Sequence, residues 1–241
     1  MHQPICVLVG AGEGLGQALA AKFASNGFGL ALISRSVVGS AAAEKAAKAY
    51  TSNVKFFQAD AKKPKTIEVA VGQASSQMGE IEVLIYNCRR NFKAFAPLDM
   101  TYDALMNNYK VEVVGAFAAA KAVLPTMIQR SRGSIFFSSA TAAFRGSATH
   151  PLYSIGKFGV RALSQSLAKA YGKKGVHVVH VRLDCDLNVP YVRNLHKSKR
   201  DGVDLADPQA VADCYWLTYQ QSRGAWSNEI EIRPHTEKWT F

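Results

Sequence analysis

The sequence predicts an α/β protein built on a doubly wound parallel sheet, with helices on both faces in three layers. Six short apolar runs read as strands, and several are nearly uninterrupted, as expected for parallel strands buried on both faces: residues 5–10, 28–34, 54–59, 81–86, 133–139 and 176–183. Alanine-rich helical stretches lie between them, at residues 15–25, 40–50, 66–78, 101–129 and 153–172. Steady alternation of strand and helix is typical of parallel sheets with right-handed crossovers.

The composition is that of one globular domain. The chain has 241 residues, 48% of them hydrophobic, with no internal repeat, low-complexity segment or linker. We therefore expect a single domain over residues 1–241. The first apolar run leads straight into a glycine loop without a basic segment or a cleavage site, which predicts a strand and not a signal peptide. No run of about 18 uncharged apolar residues is present, so we predict no membrane span.

The cysteines indicate a reducing compartment. Cys6, Cys88, Cys185 and Cys214 are widely scattered and form no CxxC pair. In a chain of this size, that distribution favours reduced thiols in a cytoplasmic protein over a disulfide framework or a zinc site. We expect most of them to be small core residues, and we predict no metal site.

The net charge of +11 creates a positive field that attracts phosphates of any kind. The basic residues gather at 61–65 and 193–200. Neither cluster is interleaved with aromatic residues, as a platform for single-stranded nucleic acid would be. A solvated surface is the simplest interpretation, and a nucleotide phosphate or an acidic substrate is the main alternative.

A glycine loop follows the first predicted strand. Gly10, Gly14 and Gly16 lie between that strand and the first predicted helix, with Leu15 at the start of the helix. Glycines allow a tight turn and a close approach of backbone N–H groups to a pyrophosphate, and the helix N-terminus adds a partial positive charge. In this context the pattern predicts a dinucleotide site in a Rossmann-type fold.

The end of the second strand favours NADP(H) over NAD(H). An NAD-specific site usually has an acid there for the ribose 2′-hydroxyl, whereas this chain has Ser34 and Arg35. A guanidinium suits a 2′-phosphate. Glu13, inside the glycine loop, argues the other way because its charge would repel that phosphate.

Taken in order, these residues resemble the short-chain dehydrogenase/reductase superfamily. The glycine loop is followed by Asp60 after the third strand, Asn87 after the fourth, and Tyr153-xxx-Lys157 on a late helix. The resemblance runs from residue 5 to about residue 183. It implies that Asp60, with Ala61 beside it, lies at the adenine and that Asn87 lies beside the cofactor ribose.

The resemblance also implies the catalytic pair. Tyr153 would exchange a proton with a carbonyl or alcohol, and Lys157 would bind the nicotinamide ribose and lower the tyrosine's pKa. Residues four apart on a helix share a face, so both side chains can reach one pocket. A phenol titrates near ~10, and a nearby ammonium favours the phenolate. In the family, the long helices that correspond to 101–129 and 153–172 commonly pair across subunits, so the resemblance implies a homodimer or homotetramer; the same helices could equally pack against the sheet.

The serine of the family pattern is displaced. In the family, a serine about thirteen residues before the tyrosine orients the substrate carbonyl, and this chain has Ala140 there, flanked by Ser139 and Thr141. Neighbouring residues on a strand face opposite sides, so a one-residue offset matters unless the strand end bulges. Ser139 is our candidate substitute.

An acid replaces the family's asparagine. The asparagine that helps to hold a proton-relaying water lies three residues before a glycine, and Glu112 occupies that place ahead of Gly115. A carboxylate could pair directly with Lys157 and keep the ammonium charged. Such a pair could preserve the proton relay or could tie up the lysine. A capped or solvated acid is the remaining alternative.

Two further departures lie near the substrate. Cys88 and Arg89 replace small residues that let the backbone approach the cofactor; Arg89 or Arg90 could meet a phosphate or an acidic substrate, or the added bulk could narrow the site. The usual Pro-Gly after the sixth strand is replaced by a segment with Asp184 and Asp186. Residues 184–241 differ from the family's pattern in the segments that set substrate specificity. The resemblance therefore does not predict the substrate.

Two functions of different classes follow. The first is an NADP(H)-preferring oxidoreductase of the short-chain type, acting on a carbonyl or alcohol, with Tyr153 as general acid/base supported by Lys157, Ser139 and Glu112. The second is a nucleotide-binding scaffold or sensor that has lost efficient chemistry, which the missing serine and asparagine suggest. Nucleic-acid binding is a minor third hypothesis and predicts affinity that falls steeply with salt.

Overall fold

The computed structural model describes residues 3–89, 93–195 and 203–237. Seven parallel strands form one sheet in the order β3-β2-β1-β4-β5-β6-β7, which confirms the predicted doubly wound α/β fold. The strands are β1 Ile5–Val9, β2 Gly29–Ser34, β3 Val54–Gln58, β4 Ile81–Tyr86, β5 Gly133–Ala140, β6 Val176–Leu183 and β7 Glu229–Ile232. The helices are α1 Leu15–Ser25, α2 Val37–Lys48, α3 Pro64–Met78, α4 Tyr102–Tyr109, α5 Gly115–Gln129, α6 Pro151–Tyr171, α7 Pro190–Leu195 and α8 Pro208–Tyr219.

The sheet separates two apolar cores. Helices α3, α5 and α6 cover one face, and α1, α2 and α8 cover the other. Alternate residues of β5 serve the two cores, with Phe137 on the α5/α6 side and Phe136 on the α8 side. Continuous apolar strands are therefore required by burial on both faces, as the sequence predicts.

The long helix predicted over residues 101–129 is interrupted. Between α4 and α5 the backbone makes a π-helical turn over Lys110–Val114. The hydroxyl of Tyr86, at the end of β4, donates a hydrogen bond to the backbone carbonyl of Val111 in this turn. Single π-turns are frequent at functional sites, and this one carries Glu112.

The seventh strand was not predicted. Strand β7 pairs with β6 from His180↔Glu229 to Leu183↔Ile232. It is a four-residue edge strand of alternating Glu and Ile, half exposed along its length. Short edge strands lack the continuous apolar run that marks the central strands.

One helical segment passes a length and composition test for crossing a membrane. It is Tyr102–Gln129, whose apolar window is 61% buried inside the protein. The segment packs against α3, α6 and strand β4. Its apolar residues therefore belong largely to the core of the fold.

The topology gathers the candidate residues at one edge. Strand β1 lies between β2 and β4, so the strand order reverses beside it. In open α/β sheets, ligands bind in the crevice outside the carboxyl ends of the strands at such a reversal. Gly10, Arg35, Asp60 and Asn87 follow the carboxyl ends of β1, β2, β3 and β4 in turn.

The Tyr86 hydrogen bond should stabilise the π-turn. Tyr86→Phe leaves the buried Val111 carbonyl without this donor, so the free energy of unfolding should fall by about 1–3 kcal/mol. Urea unfolding monitored by circular dichroism measures the change. Tyr50→Phe is the control, because Tyr50 is 61% exposed. Equal stabilities of the two variants would contradict this role.

Candidate active site

A cleft of about 1080 Å³ opens at the carboxyl ends of the strands. It brings together most of the residues predicted from sequence: Gly10, Leu15, Ser34, Arg35, Asp60, Ala61, Asn87, Ser139, Tyr153 and Lys157 all line it. Gly14, Gly16 and Glu112 do not line it but support residues that do. The cleft therefore has the extent and position expected of a dinucleotide site with a reaction centre at one end.

The glycine loop is shaped by close backbone approaches. Gly10 has a φ of +89°, and a Cβ there would lie 2.8 Å from the backbone of Asn87. A Cβ on Gly16 would lie 3.0 Å from the Gly10 carbonyl oxygen, so glycine lets α1 pack onto the loop. Gly14 has a φ of +86° and faces Val189 from the segment after β6.

The start of α1 can accept an anion. No side chain caps this helix end, and its first turn contains no acid. Its first backbone N–H groups and its partial positive charge therefore suit a phosphate. Glu13 lines the cleft nearby and is exposed, so the opposing charge noted in the sequence is present.

The end of β2 presents a cation. Arg35 is exposed and lines the cleft, and its backbone carbonyl accepts a hydrogen bond from Gln58 Nε2 at 3.0 Å. Ser34 Oγ donates to the Ser36 carbonyl at 2.7 Å. Lys62, from the basic cluster at 61–65, also lines the cleft, and its backbone N–H donates to Asp60 Oδ1 at 3.0 Å. Within the described ranges, neither Arg35 nor Lys62 forms an ion pair.

Tyr153 and Lys157 lie one turn apart near the start of α6. Lys157 is buried, and its Nζ lies 5.6 Å from the centroid of the Tyr153 ring. The ammonium also donates to the Ser138 carbonyl at 3.2 Å. The spacing of four residues thus places both groups in the same part of the cleft, as predicted.

Glu112 forms a buried ion pair with Lys157. The distance from Glu112 Oε2 to Lys157 Nζ is 2.9 Å, with side-chain exposures of 0% and 4%. Gly156 makes room for the carboxylate, since a Cβ there would lie 2.7 Å from Glu112 Cγ. Asn108 fixes the facing helix by donating to the Leu152 carbonyl at 2.6 Å. The capped or solvated acid is therefore wrong, and the direct pair is present.

The charges act on each other's protonation. Burial lowers the pKa of Lys157, but the Glu112 carboxylate and Tyr153 outweigh burial and hold that pKa above its usual value. Burial raises the pKa of Tyr153; Lys157 lowers it and Glu112 raises it, and the net shift is upward. Lys157 therefore lowers the pKa of Tyr153, as expected, but burial outweighs that effect. Tyr153 holds its proton at neutral pH.

Ser139 faces the catalytic side of the sheet. Its neighbour Ser138 turns to α8, where its hydroxyl lies 2.8 Å from that of Tyr215. Strand alternation therefore directs Ser139 to the α5/α6 side. Its Oγ is buried and has no hydrogen-bond partner among the described residues. An orphaned hydroxyl beside a cleft is available to a ligand.

Strand β5 ends without a bulge. The register between β5 and β6 is regular as far as Ala140↔Leu183. Ser139 and Ala140 therefore keep the opposite orientations that strand alternation predicts. Ala140 ends the strand, and Thr141 donates a hydrogen bond to Asp184.

Asp184 anchors the segments around the cleft. Besides Thr141, its carboxylate contacts Arg182 at 3.4 Å and Arg233 at 3.6 Å. Phe144 lies between two guanidiniums, with ring-centroid distances of 3.7 Å to Arg161 and 4.4 Å to Arg182. Arg161 in turn binds Glu229 of β7 through both Nε and Nη2, at 2.7 and 3.1 Å. This network joins the segment after β5 to β6 and β7.

Other cleft residues could not be assigned from sequence. They come from the segment after β5 and from α7 with its preceding segment: Arg145, Ser147, His150, Leu187, Tyr191, Val192 and Leu195. No spacing rule relates them to the motifs, because loop geometry brings them in. Arg90 and residues 196–200 of the second basic cluster lie outside the described residues.

The cysteines form no disulfide. Cys6 is in the core, and burial raises the pKa of its thiol. Cys88 and Cys185 line the cleft, and burial raises the pKa of each to about 12. Among the described residues, no three His, Cys, Asp or Glu side chains are grouped as metal ligands would be.

Comparison with known proteins identifies the family. The sequence model of the short chain dehydrogenase family matches residues 4–185. An uncharacterised oxidoreductase of Staphylococcus aureus is 25% identical over 233 residues, which cover 95% of this chain and 96% of that protein. The crystal structure of a short-chain dehydrogenase from Rhodopseudomonas palustris superimposes with a TM-score of 0.82 at 28% identity, covering 96% and 99% of the two chains. A metagenomic short-chain oxidoreductase solved with NADP gives 0.82 at 22% identity, covering 97% and 98%.

The chain therefore belongs to the short chain dehydrogenase family of oxidoreductases, as the order of its motifs indicates.

Removing the Glu112 charge should expose the cost of a buried ammonium. Glu112→Gln leaves Lys157 without its counter-charge, so the free energy of unfolding at pH 7 should fall by about 3–5 kcal/mol. Urea unfolding measures this loss of stability.

The same pair makes stability depend on pH. It raises the pKa of folded Lys157 above 10.5, so its contribution to the free energy of unfolding is complete below that pH and is lost as the pH rises through the folded pKa. The deficit of the variant should therefore shrink toward and beyond pH 10.5.

Two controls separate charge from shape. Glu44→Gln breaks the exposed Glu44–Lys48 pair and should cost at most about 1 kcal/mol. The double variant Glu112→Gln/Lys157→Met removes both buried charges and should recover most of the lost stability. A deficit for Glu112→Gln no larger than that of Glu44→Gln would contradict the ion pair.

Proposed function

We propose that this protein is an NADP(H)-preferring oxidoreductase that interconverts a carbonyl and an alcohol, with Tyr153 as the general acid/base. The observation that carries the proposal is the Glu112–Lys157 pair, which holds a buried cation beside the Tyr153 phenol in a dinucleotide-shaped cleft. The structures of several family members with NADP or NADPH support the choice of cofactor.

The cleft residues fit a nicotinamide dinucleotide. Gly10 and Gly16 let the loop pack closely against Asn87 and the start of α1, whose uncapped backbone N–H groups can bind a pyrophosphate. Arg35 would bind the 2′-phosphate, Asp60 and Ala61 would lie at the adenine, and Asn87 would lie beside the cofactor ribose. When bound, the nicotinamide supplies or accepts the hydride.

The protein residues manage the proton. In the reductive direction, Tyr153 donates its phenolic proton to the carbonyl oxygen, and its raised pKa keeps that proton in place at neutral pH. The Lys157 ammonium stabilises the phenolate that forms. The Ser139 hydroxyl, which has no partner among the described residues, would donate a hydrogen bond to the same carbonyl oxygen and orient it.

A catalytically impaired scaffold is the second candidate, and one observation favours it. Glu112 engages Lys157 directly at 2.9 Å, so the ammonium is less available to a ribose hydroxyl. Against this, the lysine retains donors, since an ammonium carries three N–H groups and the bonds to Glu112 and Ser138 use two. The third can bind the cofactor.

We also propose a homodimer or homotetramer in the cytoplasm. Large apolar side chains remain exposed on the helices that the family pairs across subunits: Tyr102, Met106, Tyr109, Phe117, Ile155 and Phe158 are each at least 38% exposed. Such a surface is typical of an interface.

The thiols, none of them in a disulfide, suit a reducing compartment. The joining of seven strands in one sheet supports a single domain over residues 1–241.

Tyr153→Phe tests the chemistry. Loss of the phenolic proton should lower kcat by about 10²- to 10⁴-fold, in steady-state assays with NADPH and a panel of aldehydes and ketones. The dissociation constant for NADPH should stay within about twofold, because Tyr153 acts on the substrate. Tyr171→Phe, at the far end of α6, is the matched control. Wild-type turnover that survives in Tyr153→Phe would contradict the mechanism, and tight NADPH binding without turnover of any substrate would favour the scaffold.

Arg35→Gln tests the cofactor preference. Removing a guanidinium from the 2′-phosphate should weaken NADPH binding by about 10- to 100-fold and leave NADH binding unchanged. Fluorescence titration at fixed salt measures both constants, and Arg35→Lys should retain part of the preference. Equal losses for NADPH and NADH would contradict the assignment of Arg35.

A further inference from the structure

Arg89 brings a cation to the reaction end of the cleft. It follows β4, is exposed and lines the cleft. Arg89 lines the same cleft as Tyr153 and Lys157, and its charge lowers the pKa of both groups. Among the described residues, Arg89 forms no ion pair or hydrogen bond with another side chain. A guanidinium in this state can bind an anion.

Arg145 lies in the segment between β5 and α6. It also lines the cleft, and within the described ranges it forms no ion pair. The ring of its neighbour Phe144 contacts the guanidiniums of Arg161 and Arg182. The backbone next to Arg145 is therefore anchored to α6 and β6.

The principal acids near these arginines already have partners. Glu112 is held by Lys157, and Asp184 is held by Arg182 and Arg233. Asp186 and Glu237 also line the cleft. Glu112 and Asp184 are thus neutralised by cations other than Arg89 and Arg145.

The remaining wall is apolar. Leu187, Tyr191, Val192 and Leu195, from α7 and the segment before it, line the cleft. A ligand that fits this end has an anionic group for the arginines and a carbon skeleton for this wall. Small-molecule sites commonly combine an apolar lining with a few fixed polar groups.

We propose that Arg89, assisted by Arg145, binds a carboxylate of the substrate, so that the substrates are oxo acids and the corresponding hydroxy acids. The inference rests on the proposed oxidoreductase function and deepens it. A guanidinium matches a carboxylate through two parallel N–H···O bonds. Because Arg89 and Tyr153 line the same cleft, we favour a carboxylate one or two carbons from the reacting carbonyl over a phosphate ester, whose anion is further removed.

The reaction balances with the groups at hand. The carbonyl carbon takes the hydride that a reduced nicotinamide supplies, and the C=O π bond opens. The carbonyl oxygen takes the Tyr153 proton, and solvent returns a proton to the phenolate. The carboxylate is unchanged, so Arg89 and Arg145 bind and orient the substrate without exchanging a proton.

Matched substrates test the inference. Wild-type protein is assayed with NADPH and 2-oxo and 3-oxo acids of four to eight carbons, each beside its methyl ester. The acids should be preferred, and Arg89→Gln should lower kcat/KM for the acids by about 10- to 100-fold while changing that for the esters by less than about threefold. Arg145→Gln should have a smaller effect in the same sense, and Arg89→Lys should be intermediate. Phosphorylated ketones form a separate arm of the assay.

Binding gives a readout without turnover. Oxamate, a 2-oxo acid analogue that is not reduced, should bind the protein–NADPH complex, and Arg89→Gln should weaken it by a similar factor. The dissociation constant for NADPH should stay within about twofold. Lys173→Gln removes one positive charge from the exposed turn at the opposite end of β6 and should change nothing.

The outcomes distinguish the two proposals. If the methyl esters have the same kcat/KM as the acids, or if phosphorylated ketones are preferred to the acids, the carboxylate site is overturned. The proposed oxidoreductase function would be unaffected by that result. Loss of NADPH affinity in Arg89→Gln would assign Arg89 to the cofactor and overturn the inference. Oxamate binding through Arg89 without turnover of any carbonyl would uphold the anion site and contradict the oxidoreductase. Failure of oxamate to bind overturns the inference.

Discussion

The buried ion pair between Glu112 and Lys157 is the interaction on which the rest of the site depends. Burying an ammonium alone would lower its pKa and favour its neutral form. The carboxylate at 2.9 Å reverses that effect, so Lys157 keeps its charge at 4% side-chain exposure. A charged Lys157 beside Tyr153 lowers the pKa of the phenol and would stabilise a phenolate there. The pair therefore connects the packing of the α4–α6 face to the chemistry of the cleft.

The pair exists because the backbone makes room for it. The π-turn at Lys110–Val114 places Glu112 toward α6, and the Tyr86 hydroxyl holds that turn to the end of β4. Gly156 leaves the space that the carboxylate fills. A polar cluster at this depth needs every partner in place, since a half-satisfied one would be costly. The irregular turn and the missing side chain at Gly156 are both consistent with this requirement.

The sequence predicts the sheet and the glycine loop well and the reaction end less well. The continuous apolar strands follow from burial on both faces of the sheet, and the structure has them where the sequence predicts them. The glycines at positions 10 and 16 follow from close backbone approaches, which are also present. The π-turn depends on a hydrogen bond from a residue on β4, and the side to which Ser139 faces depends on the orientation of its strand. The spacing of residues along the sequence shows neither. Counting back from Tyr153 by the family's spacing points to Ala140, whereas the buried hydroxyl without a partner among the described residues belongs to Ser139, on a strand of regular register. The roles of the individual side chains remain predictions, since they require the bound ligands.

The most direct test of this account is the charge state of Lys157 itself. NMR of protein labelled with 15N at lysine side chains, titrated from pH 6 to 11 and assigned with Lys157→Met, reports whether Nζ is an ammonium. We expect an ammonium throughout the neutral range that loses its proton only above pH 10.5, because Glu112 raises the pKa of Lys157. A neutral amine at pH 7 would show that the proton resides elsewhere in the pair. It would contradict the electrostatic support that Lys157 is proposed to give Tyr153.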